Sequence, residues 1–128
     1  MGPGDRILVV EDDDDIRDTM QEMLASEGFR VDVARDGIDA LGKLAVNAAP
    51  PLIILDMMMP RMDGETFLKV LRGNPTLADA SVIVISGDAV KRQRAGDLHT
   101  VACLVKPFEL EELLGIIRGV GGPAPNGP

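Results

Sequence analysis

Four apolar runs in this chain each end on a residue that can do chemistry. Ile7-Leu8-Val9-Val10 leads into Glu11 and Asp12, the first of five consecutive acids. Leu52 to Leu55 ends on Asp56, Val82 to Ile85 on Ser86, and Val101 to Val105 on Lys106. Laid side by side as parallel strands, the runs deliver these groups to one crevice, at the edge where open α/β sheets bind ligands. Carboxylates crowded in a low-dielectric crevice must be protonated or neutralised. A hard divalent cation such as Mg²⁺ neutralises them, taking carboxylates, a carbonyl and waters at about 2.1 Å and leaving positions for phosphoryl oxygens. A carboxylate beside such a cation is a usable phosphoryl acceptor. An ammonium and a hydroxyl suit the equatorial oxygens of the group in transit.

The elements that must position these residues alternate strand and helix. Residues 6–10, 30–34, 52–55, 82–85 and 101–105 read as strands, the first, third and fourth as the continuous apolar runs of a sheet covered on both faces. Residues 14–27 form a helix with Ile16, Met20, Met23 and Leu24 inward and Gly28 as its stop. A second helix starts at Asp36-Gly37, with Ile38, Leu41, Leu44 and Ala45 inward, and closes before Pro50. The third, Gly64 to Arg72, is built on Phe67, Leu68 and Leu71. A weaker fourth, Ala89 to Leu98, is crowded by Lys91, Arg92 and Arg94 and interrupted by Gly96. The last, Glu109 to Arg118, carries Leu110, Leu113, Leu114 and Ile117 at helical spacing, with acids at its positive end and Arg118 at its negative end. Gly119 onward is a Gly/Pro stretch without packing residues. Five strands alternating with five helices imply right-handed crossovers and a doubly wound α/β sheet.

A chain of 128 residues fits one domain, here residues 1–119, with 120–128 as a tail or linker. Net charge is −8, and the aromatic residues are Phe29, Phe67 and Phe108 alone, which disfavours direct nucleic-acid binding by charge or by stacking. Cys103 is the single cysteine, so no internal disulfide can form; it reads as a small buried core residue. No secretory signal is visible and no apolar run approaches the roughly 20 residues of a membrane span, which points to the cytoplasm.

Taken together, the segments Ile7-Leu-Val-Val-Glu-Asp-Asp13, Leu52-Ile-Ile-Leu-Asp-Met-Met-Met-Pro-Arg-Met-Asp-Gly64, Val82-Ile-Val-Ile-Ser-Gly87 and Leu104-Val-Lys-Pro-Phe108 resemble the receiver domain of bacterial two-component response regulators, over residues 5 to about 119. The resemblance implies a flavodoxin-like sheet of order 2-1-3-4-5. It implies Asp56 as phosphoacceptor, Asp12 as a direct Mg²⁺ ligand, Glu11 as its acidic neighbour acting mostly through water, and the backbone carbonyl of Met58 as a third protein ligand. Ser86 takes the place of the switch hydroxyl and Lys106 that of the site lysine, joined to Pro107 by a cis bond. Gly64 takes the place of the glycine that lets the third helix start close to the acceptor loop. Met58 and Asp88 fall where the family tunes loss of its phosphate. An apolar Met58 cannot orient an attacking water, so a long-lived phosphate is expected. Cys103 replaces the family's switch aromatic. The implied partners are a histidine kinase or histidine phosphotransfer protein and a downstream protein or effector domain, with no membrane and no nucleic acid. The domain would catalyse its own phosphorylation and slow dephosphorylation without being a turnover enzyme.

Plainer readings stand beside these. Asp13, Asp14 and Asp15 suit the first turn of a helix, where acids favour the dipole and one can cap. Met57, Met58 and Met59 are soft thioethers that do not bind Mg²⁺, so Met57 and Met59 read as packing. His99 reads as a surface loop residue. Two rival functions remain: a phosphorylation-independent interaction module on the same fold, and a phosphohydrolase that also uses an aspartyl nucleophile. The second wants another Asp two residues after the nucleophile, where this chain has Met58.

Overall fold

The computed structural model describes residues 4–46, 52–59, 62–75, 77–78, 80–87, 100–106 and 108–120. In chain order the elements are β1 (Arg6–Val10), α1 (Asp14–Ser26), β2 (Arg30–Ala34), α2 (Gly37–Val46), β3 (Leu52–Asp56), α3 (Gly64–Gly73), β4 (Ser81–Ser86), β5 (Ala102–Val105) and α4 (Leu110–Gly119). All five strands are parallel, in the order β2-β1-β3-β4-β5. The expected doubly wound sheet is therefore present, with four helices among the described residues. The helix expected over 89–98, with Lys91, Arg92 and Arg94, lies outside them, as do Asp88, His99, Pro107 and residues 121–128.

Alternation along the central strands builds a core on each face. Leu8, Val10, Ile53, Leu55, Val82 and Val84 face the buried side chains of α2 and α3, including Ala40, Phe67, Leu68 and Leu71. Ile7, Val9, Leu52, Ile54, Ile83 and Ile85 face Leu24 of α1 and Leu113, Leu114 and Ile117 of α4. Burial on both faces is why these strands are continuously apolar. Each fully buried Leu or Ile contributes about 1.5–3 kcal/mol.

Helix ends are set by local chemistry. Asp13 Oδ1 accepts from the Ile16 amide at 3.0 Å, and Asp63 Oδ1 accepts from the Thr66 amide at 2.9 Å. Asp36 Oδ1 accepts from the Asp39 amide at 2.8 Å. Gly28, at φ 95°, closes α1, a conformation that disfavours any side chain.

Several expectations are corrected. Ile16 and Ile38 are exposed (41% and 49%), because each sits in the first turn of its helix, before the helix runs along the sheet. The buried stripe of α2 is Ala40 and Leu44, so Ala45 is turned outward. Cys103 is exposed rather than buried. It lies on the edge strand β5, where Leu104 takes the inward position and Cys103 and Val105 point away from that core. Val120, grouped by composition with the tail, is 6% exposed and packs with α4.

Candidate functional site

Strand register aligns the carboxyl ends. Val10 pairs with Ala34 and Leu55, Asp56 with Ile85, and Ser86 with Val105, so the last residues of β3 and β4 and the residues that follow β1 and β5 emerge at one edge. The backbone carries this alignment past the strands. The Glu11 amide donates to the Ala34 carbonyl (3.0 Å), that of Met57 to Ile85 (3.1 Å), and that of Lys106 to Ser86 (3.4 Å).

At that edge Glu11, Asp12 and Asp56 bring one carboxylate oxygen each to within 4.8 Å of one another. Glu11 and Asp56 are buried and Asp12 is exposed. The Lys106 ammonium lies 3.2 Å from Asp56 Oδ2 and 3.5 Å from Glu11 Oε1. The other Asp56 oxygen, Oδ1, accepts from the Met58 amide at 3.0 Å. The acid at the end of the central strand is thus held by a backbone donor on one oxygen and a cation on the other.

Among the described residues three carboxylates converge here, two of them on the Lys106 ammonium, and the electrostatics reflect the excess of negative charge. Burial, then the hydrogen bond and negative charge of Asp56, hold the Glu11 carboxyl up to about 8, with Lys106 opposing. Partial burial pulls the Lys106 ammonium down, but the carboxylates of Asp56 and Glu11 outweigh it and leave Lys106 above its ordinary value. A proton on Glu11 is one way to relieve the excess charge, and a hard dication is the other. All the converging donors are oxygens, so the residues present fit Mg²⁺.

Glu11, Asp12, Asp56 and Lys106 are therefore brought together as expected. Ser86 is fully buried and follows Ile85, the pairing partner of Asp56. Met57 and Met59 are buried in packing, while the Met58 side chain is 53% exposed. Gly64 begins α3 against the loop that follows Asp56. A Cβ there would lie 2.5 Å from Met57 Sδ and 2.7 Å from Met57 Cα, so only glycine permits this approach. Sequence reasoning passed over Arg17, whose guanidinium donates to the Glu11 carbonyl at 3.1 Å and pairs with Asp14. Its signal was slight: it is the first base after the acidic run, three residues past Asp14.

The molecule is a doubly wound α/β domain with an acidic cluster and a lysine at the carboxyl edge of its parallel sheet. The chain belongs to the response regulator receiver domain family, whose model matches residues 7–118. It is 40% identical over 117 residues to the response regulator MprA of Mycobacterium tuberculosis, covering 90% of this chain and 50% of that protein. The corresponding protein of Mycobacterium avium is 39% identical over the same length. The chain spans about half the length of the curated relatives it matches. Among solved structures it is similar to the chemotaxis response regulator CheY4 of Vibrio cholerae (TM-score 0.83, 31% identity, 91% of this chain and 98% of that one). It is also similar to the receiver domain of the Pseudomonas aeruginosa sensor histidine kinase PA1611 (TM-score 0.82, 27% identity, 93% and 99% covered). That structure has a magnesium ion coordinated in its active site cleft. No helix among the described residues is long and apolar enough to cross a membrane.

Proposed function

We propose that residues 1–119 act as a phosphoacceptor switch in which Asp56 takes a phosphoryl group from phosphohistidine. The observation that carries this reading is the setting of Asp56. It closes the central strand, is buried, has both oxygens held by donors, and lies within reach of two further carboxylates.

Glu11, Asp12, Asp56 and the Met58 backbone carbonyl would hold Mg²⁺, with Glu11 acting mostly through water. When bound, the ion supplies neutralising charge and open positions for phosphoryl oxygens. Asp56 attacks phosphorus with a carboxylate oxygen. An O–P bond forms, the P–N bond to the donor imidazole breaks with its electron pair returning to nitrogen, and the ring, already protonated on its other nitrogen, leaves as neutral imidazole. Lys106, already between Asp56 and Glu11, turns its ammonium to the new phosphoryl oxygens. Ser86 donates its hydroxyl to the same group. Added charge at this edge shifts a two-state equilibrium and alters binding to a downstream protein or effector domain. With Met58 unable to orient water, and Asp88 the second tuning position, the acyl phosphate persists. Cys103, at the switch position, carries no ring, so the readout does not use an aromatic rotation. The donor is a histidine kinase or histidine phosphotransfer protein, and the transfer takes place in the cytoplasm.

The test is label transfer. A purified phosphohistidine protein carrying labelled phosphate is mixed with the wild-type chain and with Asp56→Asn. Mg²⁺-dependent label on wild type alone, with the lability of an acyl phosphate, supports the reading. Equal labelling of the two proteins overturns it.

A further inference from the structure

The short connection between β1 and α1 carries two of the three carboxylates, and its geometry is controlled from outside the site. The Glu11 amide is fixed to Ala34 of β2 at 3.0 Å. Asp13 is fixed as the cap of α1, its side chain accepting from Ile16 and its amide donating to Glu11 Oε2 at 3.4 Å. Between these anchors lies one residue, Asp12, whose direction follows the peptide that joins it to Glu11. The carbonyl of that peptide accepts from Arg17 Nη1 at 3.1 Å. Arg17 Nη2 meanwhile pairs with Asp14 Oδ1, and the arginine side chain is only 16% exposed. The planar fork therefore spans the loop carbonyl and the first turn of the helix, and resists rotation of the Glu11–Asp12 peptide.

We infer that Arg17 is a positioning residue for the acid pocket: its two-pronged grip on the Glu11 carbonyl and the Asp14 carboxylate keeps Asp12 turned toward Glu11 and Asp56. This rests on the reading above that the three carboxylates hold Mg²⁺. Partners that orient metal ligands typically change affinity by about 10–100-fold when removed. Two opposing effects give the inference a sign. As a nearby positive charge Arg17 weakens cation binding, so deleting charge alone would tighten Mg²⁺. As a clamp it strengthens binding, so deleting the fork weakens Mg²⁺.

The experiment is calorimetric titration of Mg²⁺ into the whole chain, comparing wild type, Arg17→Met, Arg17→Lys and Asp12→Asn. The Met variant keeps the apolar stem without the fork. The Lys variant keeps the charge, yet its single ammonium does not reproduce the fork, and it carries the test should the Met variant fail to fold. The expected result is Kd raised about tenfold in both Arg17 variants, with urea midpoints showing that the Lys variant remains folded. A Kd within twofold of wild type in the Lys variant, or a tighter Kd in the Met variant, overturns the inference while leaving the pocket intact. Failure of wild type to bind, or equal binding by Asp12→Asn, overturns the pocket reading and the inference with it.

Discussion

Lys106 Nζ stands 3.2 Å from Asp56 Oδ2 across 50 positions of sequence, and the same ammonium reaches Glu11 at 3.5 Å. Among the described residues this ammonium is the cation that pairs with the two buried carboxylates. Lys106→Met is expected to destabilise the metal-free chain by about 1–2 kcal/mol. That is less than the ~3–5 kcal/mol of breaking a fully buried pair, because the lysine is 34% exposed and Glu11 can take a proton. Urea unfolding in chelator measures it, and an unchanged midpoint would show that the contact does not contribute.

Glu11 gives the metal-free protein a pH dependence of definite sign. Its folded value is raised to about 8 from an ordinary 4.5, so between those limits the folded chain holds a proton that the unfolded chain has lost. Glu11's contribution to stability therefore declines as pH rises through that window, and its full penalty is present above it. Unfolding curves in chelator should show this slope flattened in Glu11→Gln. An identical slope in the two proteins would mean that Glu11 titrates normally.

Gly64→Ala places a methyl group 2.7 Å from the Met57 backbone, where no rotamer change relieves it. A loss of about 1–3 kcal/mol is expected, read as a lowered thermal midpoint. Because Met57 follows Asp56, the proposed acceptor, slower phosphorylation by a small phosphodonor should accompany it.

Met58 presents an exposed thioether two residues after Asp56, the proposed acceptor, where a polar group would orient water. Met58→Asn is expected to shorten the lifetime of the phosphorylated chain by at least about tenfold. Following loss of label from purified phosphoprotein measures this, and equal lifetimes would remove Met58 as the cause of a slow reaction.

Much of the fold was legible because buried parallel strands leave an unambiguous trace. The four apolar runs ending on Asp56, Ser86, Lys106 and the Glu11-Asp12 pair located both the sheet and the site, and the structure brings the acids and the lysine together. Cys103 was misread because hydrophobic character does not reveal that β5 is an edge strand with alternating exposure. Ile16 and Ile38 were misread because helical periodicity does not say where along the helix the sheet begins. Arg17 escaped notice because its role depends on a backbone carbonyl, which no residue-type pattern displays.

Asp56 is proposed to accept a phosphoryl group in a pocket that uses a divalent cation. Intact-mass measurement after incubation with a small phosphodonor tests it most directly, on wild type with Mg²⁺, on wild type with chelator, and on Asp56→Asn with Mg²⁺. A gain of one phosphoryl group in the first sample alone is the predicted result. No gain in any sample, or a gain that survives the loss of Asp56, would contradict it.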